Sequence, residues 1–141
     1  MPYLALDIGS RRIGVAVSDP ALSMALPHSV IERTNVKSDV ERIAAIAADY
    51  AASEIVVGYP LTLRGERGPA TETVDAFVAH LRRAFEGTVH LVDERMTTAM
   101  ATRSLIAADV SRKKRKGVVD QIAATHILET FLRKKAREAT P

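Results

Sequence analysis

The chain has 141 residues, with 20 Lys and Arg against 17 Asp and Glu, and a net charge of +3 too small to name a partner by itself. With 47% hydrophobic residues it can bury a core as a single domain over 1–141, which excludes general disorder, and with no cysteine it excludes disulfides and thiolate metal sites. It lacks any apolar run of membrane-spanning length and any charged-then-apolar leader, so a cytoplasmic protein with no membrane partner is expected.

Tyr3 to Ile8 is an apolar run interrupted only by Asp7, and Gly9-Ser10 follows as a turn. Ile13 to Val17 is a second run, ended by Ser18-Asp19-Pro20, so the two read as a β-hairpin. A third strand is expected over Ser29 to Arg33. Ser38 stands three residues before Glu41, a capping-box spacing, and Val40, Ile43, Ala44 and Ala47 form a helical apolar face behind it. Glu54 to Tyr59 is apolar enough for a strand buried on both faces. Pro60 to Pro69, with Gly65 and Gly68, is a loop. Val74, Phe77, Val78, Leu81 and Phe85 recur at helical spacing and mark an amphipathic helix. Val89 to Val92 is a strand running into Asp93-Glu94-Arg95. Thr97 or Thr98 can cap a helix reaching about Ala108, a basic loop follows, and Val118 to about Glu138 forms the last helix. This order implies an α/β fold, a mixed five-stranded sheet flanked by helices.

Three carboxylates stand where stability alone would not place them. Asp7 lies at the end of an apolar strand, and Glu94, beside Asp93, ends another. Asp120 points, at 100° per residue, along the arc of Ala123, Ala124, Ile127 and Phe131. Each has a structural alternative: Asp7 can brace the turn at Gly9, Asp93 or Glu94 can pair with Arg95, and Asp120 can sit favourably at a helix start. Taken jointly, strand ends and a helix start can converge at one edge of a sheet.

Three convergent carboxylates suit phosphodiester hydrolysis, because their oxygens hold hard divalent cations. Two such ions about 4 Å apart can activate water and stabilise a leaving oxygen. The four histidines, His28, His80, His90 and His126, lack the pairing of a zinc site, so oxygen ligands and hence Mg2+ or Mn2+ are expected. Arg112, Lys113, Lys114, Arg115 and Lys116 form an unbroken basic run just before Asp120, placing phosphate-binding charge at the lip of such a site. Arg11, Arg12, Arg64 and Arg67 are further candidates for nucleic-acid contact. Arg133, Lys134, Lys135 and Arg137 read as favourable charge at a helix C-terminus.

The stretches LALDIGSRRIGVAVSD (4–19), IVVGYPLTLRGERGPA (55–70), VDERMTTAMA (92–101) and KKRKGVVDQIAATHIL (113–128) resemble, in order and spacing, the four signature blocks of the YqgF/RuvX family. These are compact relatives of the RuvC Holliday junction resolvase. The resemblance implies a ribonuclease H-like fold, catalysis and metal binding by Asp7, Glu94 and Asp120, and a supporting role for Asp93. It implies a nuclease acting on precursor 16S ribosomal RNA at its 5′ end, with junction resolution or another DNA-repair cleavage as the alternative. Tyr59 and Thr62 depart from the family pattern, which has Leu and Asn there. The expected partners are structured RNA, or branched or single-stranded DNA, with a pre-ribosomal particle and a homodimer left open.

Two other readings compete. LDIGSRRIGVAV also resembles the phosphate-binding hairpin of actin-like and sugar-kinase ATPases, a machinery that needs two such domains closing on a nucleotide. A non-catalytic nucleic-acid-binding module would use the basic loop alone and leave Asp120 on an apolar arc unexplained.

Overall fold

The computed structural model describes residues 2–19, 21, 24–62, 64–94 and 112–139, with 112–120 and 139 described by their backbone only. Strands β1 (Tyr3–Ile8) and β2 (Arg12–Ser18) pair antiparallel as the expected hairpin, with Asp7 opposite Gly14. Strand β3 (Ala25–Glu32) adds antiparallel to β2. Helix α1 (Val36–Asp49) crosses to β4 (Glu54–Tyr59), which pairs parallel with β1. Helix α2 (Pro69–Ala84) crosses to β5 (Thr88–Asp93), parallel to β4, and helix α3 spans Arg112–Ala139. The sheet order is β3-β2-β1-β4-β5, the mixed five-stranded sheet with flanking helices anticipated from the chain order.

Strand alternation divides the core into two layers. Leu4, Leu6 and Ile8 of β1 join Ile55 and Val57 of β4 in packing with Val40, Ile43 and Ala47 of α1 and Val74, Phe77 and Leu81 of α2. On the opposite face Ala5, Ala16 and Val56 meet Ala123, Ala124, Ile127, Leu128 and Phe131 of α3. Four of those residues are alanines, short enough for helix and sheet to approach closely. Such packing brings the α3 backbone near the strand face that carries Asp7.

Four expectations change. Strand β3 starts at Ala25 rather than Ser29, because an edge strand tolerates Pro27, and the register shifts at Val15/Ala16 beside it. Helix α1 starts at Val36, capped by Asn35, whose side chain accepts from the Ser38 amide at 2.9 Å; Ser38 is therefore inside the first turn and not the cap. Helix α2 begins on Pro69 itself, a proline at the first position, where its missing N–H costs nothing. The run Arg112–Lys116, expected as a loop, is helical in its backbone, since Arg and Lys are good helix formers and Gly117 alone does not stop a helix. The helix expected from Thr97 or Thr98 to Ala108 lies outside the described residues.

Candidate active site

Asp7 is the penultimate residue of β1 and is only 4% exposed. It shares a strand face with Ala5 and therefore looks toward the α3 layer. Its partner on β2 is Gly14. On the other side, Gly58 is the next step beyond the Leu6–Val57 rung of β4. Glycines flank the carboxylate on both neighbouring strands, so no side chain crowds it from within the sheet.

Glu94 follows β5 and is 3% exposed. Its side chain lies across Gly58: a Cβ built there would sit 2.8 Å from Glu94 Oε1 and 2.5 Å from Ile127 Cδ1 of α3. Gly58 is thus the floor that lets a carboxylate enter the space between β4 and α3. Asp7 and Glu94 both line one cleft of about 460 Å³, together with Arg11 and Arg12 from the hairpin turn and Ala70 and Thr73 from the first turns of α2.

The oxygen-only donor set and the glycine cradle fit a hard divalent cation. Among the described residues no cluster of three metal-binding side chains occurs, and the third candidate, Asp120, has its side chain outside them. Its backbone is helical in α3, three and four positions before the buried Ala123 and Ala124. Asp93 pairs in register with Tyr59 and borders a separate cleft of about 340 Å³ with His90, Thr130, Phe131 and Lys134. Among the described residues, Asp93 is not part of the lining of the cleft that Asp7 and Glu94 share.

The candidate cations differ in setting. Arg11 is exposed at the turn, whereas Arg12 is held by Glu32 of β3 through a 2.9 Å pair from its Nε. Arg64 and Arg67 are exposed in the loop before α2 and do not line the cleft. That loop is folded on Thr62, whose Oγ1 accepts from the Glu66 amide at 3.0 Å, and Gly65 takes a φ of 82° that favours glycine. Tyr59 belongs to the α1/α2 core layer and donates its hydroxyl to Asp75 of α2 at 3.1 Å, so it serves packing on that helix. The side chains of Arg112 to Lys116 lie outside the described ones. No helix among the described residues is long and apolar enough to cross a membrane. Gly58 and Arg33 were not anticipated; a lone glycine inside EIVVGY was the available signal for the first.

Comparison with known proteins gives the family and the fold. The family described as "RuvX: Holliday junction resolvase" matches residues 1–134. A Moorella thermoacetica protein named "Putative pre-16S rRNA nuclease" is 42% identical over 132 residues, covering 94% of each chain. A Myxococcus xanthus protein of the same name is 40% identical, covering 94% of this chain and 87% of its own. Among solved structures, T. thermophilus RuvC in complex with Holliday junction substrate superposes with a TM-score of 0.58 at 13% identity, over 96% of both chains. The fowlpox virus Holliday junction resolvase gives 0.52 at 12%, over 95% of this chain and 99% of its own. At such identities these two establish the fold, which is ribonuclease H-like.

Proposed function

The chain belongs to the RuvX family, and from that premise we propose that it is a divalent-metal-dependent nuclease that hydrolyses phosphodiester bonds in 5′-end maturation of precursor 16S ribosomal RNA. One observation carries the chemistry: two nearly buried carboxylates, Asp7 and Glu94, open into a single cleft that also presents Arg11 and Arg12. The RNA assignment rests on the names of relatives about 40% identical over most of the chain.

On this reading Asp7, Glu94 and Asp120 would hold Mg2+ or Mn2+. When bound, such ions activate water and stabilise the leaving oxygen. The Asp7 backbone is held by strand pairing and the Glu94 side chain lies over Gly58, and both are nearly buried, which favours carboxylates placed before substrate arrives. Arg11 and Arg12, with Arg112 to Lys116, would neutralise the phosphates flanking the scissile bond. The family description favours junction resolution as the second reading. A pre-ribosomal particle as the site of action, a homodimer and a cytoplasmic location complete the proposal.

Side-by-side cleavage of precursor 16S RNA, single-stranded DNA and four-way junctions, in Mg2+, Mn2+ and chelator, tests it. Metal-dependent cutting of the RNA is expected, with none in chelator. Junction cutting with inert RNA would move the assignment to resolvase, and full activity in chelator would refute the metal chemistry.

A further inference from the structure

Arg33, one residue past β3, holds two carbonyls of the turn that lines the cleft. Its amide donates to Arg11 O at 2.9 Å, and its Nη1 donates to Gly9 O at 3.0 Å. The turn is also closed by the Gly9 amide on Arg12 O at 2.9 Å. Arg33 is not among the cleft-lining residues.

The guanidinium is anchored from behind. Its Nε lies 3.6 Å from Asp39 Oδ2, and its carbon stands 5.5 Å from the ring centre of Phe77 in α2. Asp39, in the first turns of α1, is wholly buried. Its Oδ1 accepts from the Thr34 amide and hydroxyl, both at 3.2 Å, and from Arg42 Nη2 at 2.8 Å. Among the described residues its Oδ2 has no hydrogen-bond partner. A buried carboxylate oxygen in that state is costly unless a cation faces it, and Arg33 is that cation. A place near a helix start accounts for an acid in α1 but not for a guanidinium stretched from it to Gly9.

The geometry points to Arg33 as a positioning residue: braced on Asp39 and Phe77, it sets the hairpin turn and hence the reach of Arg11 and Arg12 toward nucleic-acid phosphates. The inference rests on the nuclease reading of the cleft. Lysine cannot replace the device, because a single ammonium lacks the planar fork that serves two acceptors at once.

Arg33→Lys keeps the charge and removes the fork. KM for an RNA oligonucleotide should rise about tenfold, a fraction of the roughly hundredfold that a 1 Å misplacement can cost. The value of kcat at saturating RNA should change little. The backbone amide resonances of Gly9 to Arg12 should shift in the free protein. Asp39→Asn should reproduce the KM defect from farther away, and the double variant should be no worse than either single one, as expected for one coupled unit. If Asp39→Asn does not fold, Arg33→Lys alone carries the test. A folded Arg33→Lys with wild-type KM, or with lowered kcat but unmoved turn amides, overturns the proposal. If the wild type cuts nothing, the nuclease reading fails. Anisotropy of labelled RNA, together with the same amides, then decides the role of Arg33 separately.

Discussion

Replacing Gly58 by Ala adds one methyl group to the floor beneath Glu94. Its Cβ would lie 2.5 Å from Ile127 Cδ1, 2.8 Å from Glu94 Oε1 and 3.1 Å from Glu94 Cγ. Carbon atoms rest about 3.5–4.0 Å apart, so the Ile127 contact is short by roughly 1 Å or more. Ile127 is 0% exposed and has no solvent to retreat into, whereas Glu94 borders the cleft and is the side chain that gives way. The Gly58 φ is not positive, and the strain is therefore one of packing alone. Overpacking of this kind costs about 1–3 kcal/mol, and the carboxylate is among the groups that must move. If Glu94 is a metal ligand, the displacement also weakens metal binding; a tenfold loss corresponds to about 1.4 kcal/mol. At Mn2+ near 100 times the wild-type Kd, the wild type should gain about 2.7 kcal/mol over chelator and Gly58→Ala about half that. Paired melts in chelator and in Mn2+, with cleavage rates, read both effects. A variant that melts lower in chelator, yet gains as much from Mn2+ and cuts as fast as wild type, would refute the placement of Glu94 at the metal.

Replacing Lys113, Lys114 and Lys116 by Gln should weaken binding to all sequences alike and flatten the log–log salt slope by about 0.7 for each single-strand phosphate no longer neutralised; an unchanged slope means the run is merely solvated. Asp120→Asn should abolish cleavage without destabilising the metal-free protein; Asp120 lies eight residues past the start of α3, so no helix cap is lost, and a variant that still cuts would show that it is no metal ligand. Burial pushes the Asp39 carboxyl up, but bonds from Thr34 and Arg42 outweigh it and hold the group below its ordinary value. Its stabilising contribution is complete above the ordinary Asp value and is lost as pH falls below it, through the lower folded one. The gap in Tm between wild type and Asp39→Asn should therefore narrow in acid melts, and a gap independent of pH would contradict this.

What could be read from sequence was whatever depends on neighbours along the chain. The stripe of Val74, Phe77, Val78 and Leu81 and the paired runs around Gly9-Ser10 declare their elements, because helical and strand periods are local. Asp7 was legible for the same reason, as a carboxylate in a run that is otherwise apolar. The boundaries failed where a local cue was overruled. Ser38 looked like a cap until Asn35 took that place, letting Val36 extend the apolar stripe of Val40, Ile43 and Ala47. Strand β3 was expected only from Ser29, yet it runs back through Pro27 to Ala25, since an edge strand needs no amide from that proline. The charges of Arg112–Lys116 looked like a loop although their backbone continues a helix. Arg33 and Gly58 were beyond reach, since what they do depends on Gly9, Asp39, Glu94 and Ile127, brought together only by the fold.

The central claim is that Asp7 and Glu94 hold the ion that cuts. It is tested most directly by a crystal structure grown in saturating Mn2+, read by anomalous scattering at the metal edge. The account predicts an anomalous peak in the cleft bonded to carboxylate oxygens of both Asp7 and Glu94, at the roughly 2 Å of a small hard divalent cation. A peak bonded to neither residue, or none at saturating Mn2+, would contradict it.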